Sequence, residues 1–430
     1  MKKNKDVYEL AMQRIAILFS EFDNIYVSFS GGKDSGVMLN LCIRYIRENN
    51  LKGKIGVFYM DYEIQYSETV KYVDRVLQAN SDIIEVYRVC APFKVTTCTS
   101  MHQAYWRPWD SDCKEFWVRD MPADSYQKAD FPFYSPAIWD SEFYILFAQW
   151  YHLLKNAKKT CCLVGIRTQE STHRWQTVYG NKRTRMYYQL KWTKQISKNI
   201  YNAYVIYDWL TTDIWTANGR FGWDYNRLYD LYYQAGVPLE KQRVASPFLL
   251  AAQENLHLYK AIDPDTWGKM ICRVNGVNFT ALYGNTSVVA QKKVSLPKGY
   301  TWESYMYFLL STLPEETRRS YLQKLSVSIN FWRKRGGCLP EKTIKKLQTC
   351  GIEIEVLDHT NYRTDKYPVR MEYQDDIDIP GFKYLPTFKR MCICILRNDH
   401  LCKYMGFAMT RKEIETRKNI MDFYQGIIYE

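Results

Sequence analysis

Residues Ser28 to Leu39 read SFSGGKDSGVML, with two adjacent glycines, a lysine, an aspartate and three serines between apolar runs. This composition suits a phosphate. Glycine lets the backbone approach an anion and adopt positive φ. A helix opening after the loop presents free N–H groups and the positive end of its dipole. Ser30 and Ser35 add hydroxyl donors and Lys33 adds a charge, while Asp34 either orients the loop or holds Mg²⁺. The pattern is neither a Walker A loop, G-x-x-x-x-G-K-[ST], nor G-x-G-x-x-G. A tight turn without a ligand is the plain alternative. The loop's place at the C-terminal end of a strand, where open α/β sheets bind ligands, favours the phosphate.

The flanking periodicities supply the elements that must hold this loop. Val7, Ala11, Ile15, Leu18 and Phe22 recur at helical spacing, and NIYVSFS (Asn24 to Ser30) then reads as a buried strand. Asp34 to Arg47 reads as a helix, Lys54 to Tyr62 as a strand, Ser67 to Asn80 as a helix and Asp82 to Val89 as a strand. Ser141 to Asn156 is expected to be a helix with Ser141 as N-cap, and Thr160 to Ile166 a further strand. Alternating strands and helices predict an α/β fold, a doubly wound, mostly parallel sheet covered on both faces. After about Val244 the pattern becomes mainly α-helical, with Pro314, Pro340 and Pro386 near helix starts and Gly351 ending a helix over 340–350. Two domains are expected, residues 1–243 and 244–430. The segment Ile271 to Leu296 is expected to carry strands of the second.

The 430 residues are 47% hydrophobic and 16% aromatic, enough to bury a large core, and too many for one ordinary core. Lys and Arg total 59 against 46 Asp and Glu, a net charge of +13 that favours anionic ligands. The longest apolar run, Phe143 to Leu154, is too short to span a bilayer. Gln13 and Arg14 break any apolar signal core after the basic N-terminus. A cytoplasmic protein with its 12 cysteines reduced is the expectation.

SGGKDS resembles the PP-loop of the ATP pyrophosphatases, a branch of the adenine nucleotide alpha hydrolase superfamily. Three further stretches resemble its PAPS-reductase-like branch in order: YMDYEIQYSETV with Asp61, Glu68 and Thr69; LVGIRTQESTHR with Arg167, Glu170, Ser171 and Arg174; and VIYDWLTTDIW with Asp208, Trp209, Asp213 and Trp215. LPKGYTWESYMYFLL and RMCICILRNDHLCKYMGF carry the resemblance of the whole chain to IbrA-type proteins with a DUF3440 C-terminal region. The resemblance implies a nucleotide-binding set of Ser28, Ser30, Gly31, Gly32, Lys33, Asp34, Ser35, Asp61, Gly165, Arg167, Glu170 and Ser171. It implies that Lys33, Asp34, Arg167 and Arg174 do the chemistry, with the arginines neutralising charge on the phosphates. Structural roles compete: Asp61 as the cap of a turn, and Glu170 paired with Arg174 at helical spacing. For Asp208 and Asp213 capping and packing are the favoured roles. The family's E-C-G-x-H nucleophile motif does not follow the nucleotide domain, and QTCGIEI around Cys350 lacks both its Glu and its His.

Two other groups invite a function. Ser171 to Asn199 has no acidic residue but holds Arg174, Lys182, Arg183, Arg185, Lys191, Lys194 and Lys198 among Trp175, Tyr179, Tyr187, Tyr188 and Trp192. Such a patch suits nucleic acid or a lid over phosphates. Cys392, Cys394, His400 and Cys402 are zinc-capable types at the wrong spacing for a finger, so a packed helix is the better reading. The leading expectation is an enzyme that binds ATP or a PAPS-like adenylate with Mg²⁺ and cleaves at the α-phosphate, adenylating a substrate and releasing pyrophosphate. One alternative is a nucleotide-responsive regulatory or nucleic-acid-binding protein with a ParB-like partner, as the resemblance implies. Another is PAPS reduction or sulfotransfer by a different cysteine.

Overall fold

The computed structural model describes residues 6–180, 185–284, 286, 294–359, 365–379 and 385–407. The chain opens with α1 (Val7–Glu21), β1 (Asn24–Ser28), α2 (Lys33–Glu48), β2 (Ile55–Met60), α3 (Ser67–Ala79) and β3 (Ile84–Val89). A two-strand hairpin follows, β4 (Val95–Thr96) and β5 (Tyr105–Trp106), and then α4 (Asp140–Leu154), β6 (Thr160–Val164), α5 (Thr172–Tyr179), β7 (Thr193–Ser197) and β8 (Ile200–Ala203). The main sheet has the order β3-β2-β1-β6-β8-β7, parallel except for the antiparallel edge strand β7. From β1 the chain steps outward through β2 and β3, then returns to lay β6 on the other side of β1. The reversal between β1 and β6 is where such sheets bind ligands.

Alternation along the strands builds two cores. Tyr26, Phe58 and Cys162 face one cluster, while Ile25, Val27, Val57, Cys161 and Leu163 face the other. The second face is covered by α1, α2, α3 and α6 (Thr211–Phe221). The first is covered by α4 and α7 (Leu228–Gln234) and by residues further on: Phe248, Leu256, Tyr259, Met270 and Val277. Each fully buried large side chain contributes roughly 1.5–3 kcal/mol.

Beyond α7 the chain forms α8 (Tyr259–Ile262), α9 (Pro264–Arg273), α10 (Val277–Tyr283), α11 (Trp302–Ser311), α12 (Glu315–Lys334), β9 (Gly337–Leu339), α13 (Glu341–Thr349), β10 (Glu355–Val356), β11 (Tyr367–Arg370) and α14 (Phe388–Leu396). Pro314 and Pro340 are the N-caps of α12 and α13, and Pro386 precedes Thr387, the N-cap of α14. Gly351, at φ +75°, follows the end of α13.

Two expectations are corrected. Within Ile271 to Leu296 the described residues form the end of α9 and all of α10, not strands; 285 and 287–293 lie outside the described residues. Asp263 caps α9 through the Thr266 N–H, with Pro264 preset at the first helical position, so the chain there is committed to helix. The small antiparallel sheet β10-β11-β9 lies later, over 337–370. Ser141 is not the cap of α4, because the N-cap is Trp139. Lys94 pairs with the chain on either side of Trp139, through Ile138 O at 2.8 Å and Asp140 N at 3.0 Å. That bridge keeps the backbone extended to Trp139, whose N–H then donates to Glu142 at 2.9 Å.

A buried charge network ties the first region to α9. Glu63, fully buried and at φ +65°, accepts from Arg273 at 2.9 and 3.1 Å and from the Trp109 N–H at 2.7 Å. Removing the arginine strands a buried carboxylate, a loss of about 3–5 kcal/mol. Arg273→Ala is therefore expected to lower the urea midpoint strongly, and Glu63→Gln in the same chain to restore part of it; equal midpoints for wild type and Arg273→Ala would contradict the network's role.

Candidate functional site

The turn from β1 into α2 is shaped by its two glycines. Gly31 takes φ +72°, and a Cβ there would sit 2.8 Å from Val73 and 3.1 Å from Thr69 on α3. Asn226 fixes the turn from behind, donating to Gly31 O at 3.0 Å and to Thr69 Oγ1 at 2.9 Å. Gly32 is the N-cap of α2 and offers no capping side chain. The Asp34 and Ser35 N–H groups lie beyond the helix's own i→i−4 ladder and are available to an anion. Ser35 Oγ lies 3.0 Å from Ser30 Oγ, accepts from Ser30 N–H at 3.2 Å, and holds the loop closed.

The loop after β6 meets this turn. Gly165 is required by contact: a Cβ would lie 3.0 Å from the Asp34 carbonyl and the Ser35 nitrogen. Two residues on, buried Arg167 donates from Nε to Asp34 Oδ1 and from Nη1 to Gln169 and Thr211 at 3.1 and 3.2 Å. The other Asp34 oxygen faces Lys33 Nζ at 3.6 Å. Both carboxylate oxygens thus look at cations, and Asp34 does not fit the part of a Mg²⁺ ligand.

Lys33 is only 5% exposed. Its Nζ donates to the Gln242 carbonyl at 2.9 Å and sits 5.1 Å above the Tyr229 ring, and its backbone N–H donates to Tyr229 Oη at 3.0 Å. Burial draws the lysine pKa down, and Asp34 partly restores it. Burial pushes the Tyr229 hydroxyl up, so it keeps a proton to donate. Glu170 is raised by burial and next by the Asp34 charge, while Arg174 at 3.5 Å and Arg167 at 3.8 Å pull it back.

These groups border a cleft of about 580 Å³. Of the residues singled out in the sequence, Ser28, Ser30, Gly32, Lys33, Asp34, Ser35, Gly165, Glu170 and Arg174 line it. Gly31 and Arg167 support it from beneath. Ser171 is the N-cap of α5, accepting from Arg174 N–H at 3.2 Å, and does not line the cleft. The Asp61 carboxylate is absent from it, fully buried between Arg88 and Arg119, where it also accepts from the Glu63 N–H at 3.0 Å. Asp208 pairs with Arg14, and Asp213 accepts from Leu210 N–H at 2.7 Å, capping α6. Arg185 and Lys191 are exposed and away from the cleft; Lys182 and Arg183 lie outside the described residues. Cys392 and Cys394 are buried in α14, His400 bonds to Ser100 O at 3.0 Å, and Cys402 is buried. Among the described residues no group of three or more His, Cys, Asp or Glu converges as a metal site would need.

The structure adds residues the motifs did not mark. Tyr26, Phe58 and Tyr144 form an apolar end of the cleft, the last two rings 5.3 Å apart. Tyr26 shares a strand face with Ser28, and Phe58 is paired with Ser28 across the sheet, so alternation alone could have found them. Arg243 also lines the cleft and donates to the Glu170 carbonyl at 2.9 Å. With Lys33, Arg167 and Arg174 it gives four cations against the carboxylates of Asp34 and Glu170. The balance favours a polyanion whose apolar part reaches the aromatic end.

A model of the phosphoadenosine phosphosulfate reductase domain matches residues 24–235, and one of a domain of unknown function, DUF3440, matches residues 236–416. The Escherichia coli (strain K12) protein YbdN, described as uncharacterized, is 30% identical over 419 residues, which span 96% of this chain and 93% of YbdN. The chain belongs to the YbdN family. Members pair a phosphoadenosine phosphosulfate reductase domain, an adenine-nucleotide-binding fold, with a DUF3440 region. Among solved structures, a Candida auris phosphoadenylyl-sulfate reductase in a phosphate complex is 14% identical over 56% of this chain and 89% of its own, with a TM-score of 0.31. A Candida glabrata FMN adenylyltransferase is 14% identical over 52% of this chain, which spans 57% of that enzyme's length, with a TM-score of 0.30. In this YbdN-family chain Gln242 and Arg243 belong to the DUF3440-matched region, so that region touches the Lys33 side chain. No helix among the described residues is long and apolar enough to cross a membrane.

The raised Glu170 gives a pH signature. The folded chain keeps that proton to higher pH than the unfolded chain, so the group's contribution to stability is full below the ordinary carboxylate range and is lost as pH rises through the raised folded value. Glu170→Gln is expected to gain in thermal midpoint relative to wild type between about pH 4 and about pH 8. A constant difference over that range would contradict the assignment.

Proposed function

We propose that the protein binds an adenine nucleotide in the β1–β6 cleft, phosphates on the Gly31–Ser35 turn and base toward Tyr26, Phe58 and Tyr144, and cleaves it at the α-phosphate. The observation that carries this reading is the site at the sheet's reversal: a glycine turn opening a helix, lined by Lys33, Arg174 and Arg243 beside an apolar end, with Arg167 behind Asp34. An acceptor oxygen attacks the α-phosphorus, the bond to the bridging oxygen breaks, and pyrophosphate leaves with that electron pair. Lys33, Arg174 and Arg243 neutralise the leaving charge, and Arg167 acts through Asp34 by holding the turn.

For Lys33 to reach a phosphate it exchanges the Gln242 carbonyl for a phosphate oxygen. The free protein therefore holds its lysine on a hydrogen bond that substrate replaces, which keeps a buried cation satisfied between turnovers. Thiol chemistry is less well supported. Cys162 is the cysteine lining the cleft, and its thiol is buried and pushed up to about 12, far from a ready thiolate.

The test is calorimetric titration of ATP and of 3′-phosphoadenylates, with phosphorus NMR of the products. The wild type is expected to bind ATP and, with water as the acceptor oxygen, to yield AMP and pyrophosphate. Lys33→Ala, which removes a charge-assisted bond of about 1.5–3 kcal/mol, is expected to weaken binding roughly 10- to 100-fold. A wild type that binds no adenine nucleotide, or that yields ADP and phosphate, would overturn the reading.

A further inference from the structure

A second, smaller cavity of about 50 Å³ opens beside the nucleotide cleft, and the two share Arg243, Ala245 and Leu249 as walls. Tyr66, Tyr232, Tyr259 and Lys241 complete most of the smaller one. It has room for more than a single water-sized group but not for a nucleoside. Tyr66 is stacked on Tyr259 at 3.6 Å, with the edge of Tyr232 5.7 Å away. These contacts leave the Tyr66 ring little freedom.

The Tyr66 side chain is 5% exposed, and its buried hydroxyl lies near that of Tyr232 but is in hydrogen-bonding geometry with no group. A buried hydroxyl left this way costs about 1–3 kcal/mol, which an acceptor entering the cavity would recover. Two cations, Arg243 and Lys241, stand on its wall. Arg243 spends one N–H on the Glu170 carbonyl and has no carboxylate partner among the described residues. Lys241, at the exposed rim, pairs with Glu254 at 3.1 Å. Asp263, the carboxylate whose charge reaches Tyr66, is held by the Ser67 N–H at 2.7 Å, the Ser67 hydroxyl at 2.6 Å and the Thr266 N–H at 3.3 Å.

The cavity also lies within reach of the phosphate turn. Tyr229, whose hydroxyl meets the Lys33 N–H, and Tyr232, which meets Tyr66, are three residues apart on α7. They share a helix face about one turn, ~5 Å, apart. Arg243 stands on both walls, so the cavity of Tyr66 adjoins the cleft of Lys33.

We propose that this cavity is an oxyanion subsite: it takes a small tetrahedral oxyanion, to which the Tyr66 hydroxyl donates while Arg243 and Lys241 neutralise its charge. The proposal rests on the nucleotide reading of the adjoining cleft. The oxyanion is either the terminal phosphate of a triphosphate bound there or a separate inorganic oxyanion. ATP, AMP and inorganic phosphate (the last in the presence of AMP) are titrated calorimetrically into wild type, Tyr66→Phe and Lys241→Gln, using the full chain. Tyr66→Phe keeps the stacked ring and removes only the hydroxyl, and Lys241→Gln changes an exposed residue, so one of the two reports even if the other misfolds. The expected result is a fall of about tenfold or more in the ATP-to-AMP affinity ratio, with AMP binding unchanged. An unchanged ratio with loss of phosphate binding would support the subsite for a separate oxyanion. If both are unchanged while AMP still binds, the subsite is overturned and the cleft reading stands. A wild type that binds neither AMP nor ATP overturns the cleft reading instead.

Discussion

The ion pair between Asp34 and Arg167 joins the two loops at the sheet's reversal. Asp34 stands in the first turn of α2, after β1; Arg167 stands after β6, the strand laid down on the far side of β1. The sheet holds the first loop only as far as Phe29, whose N–H donates to Phe58 O at 2.9 Å. The pair fixes the separation of the two loops, and Gly165 permits it, because a Cβ there would lie 3.0 Å from the Asp34 carbonyl. A carboxylate and a guanidinium brought out of water are favourable only when both are fully engaged. Here Lys33, Gln169 and Thr211 complete the set, so the two loops are braced by one connected group of contacts.

The region matched to DUF3440 takes part in the same arrangement. The carbonyl of Gln242 holds Lys33, and the Gln242 side chain braces that segment by donating to Val237 O at 2.9 Å. Arg243 brings a further cation, while Arg273 reaches back to Glu63 at the end of β2. The later helices and the sheet thus share charge networks as well as an apolar core. This explains how a chain with a nucleotide-binding fold can carry a long C-terminal region whose first segment bears directly on the site.

What could be read in the sequence was what short-range pattern encodes. Strand alternation and the glycine turn located β1, α2 and the loop between them to within a few residues, because burial on both faces and the need for positive φ at Gly31 constrain residue type strongly. The same rules failed where distant contacts decide. Ser141 has the right chemistry for an N-cap, yet a bridge from Lys94 sets the start of α4 at Trp139. Asp61 ends a strand as the resemblance requires, but two arginines far along the chain claim its carboxylate. Gln242 acts through its carbonyl, which every residue possesses, so no side-chain signal could mark it. The apolar run near Ile271 suited strand or helix alike until Asp263 and Pro264 committed it to helix.

In the proposed function, adenine-nucleotide phosphates occupy the Gly31–Ser35 turn and take Lys33 from the Gln242 carbonyl. Diffraction from crystals soaked in ATP tests it most directly. Phosphate density is expected on the Asp34 and Ser35 N–H groups, with Lys33 Nζ moved off Gln242 and the Asp34–Arg167 pair intact. Nucleotide bound elsewhere, with Lys33 still on Gln242, would contradict it.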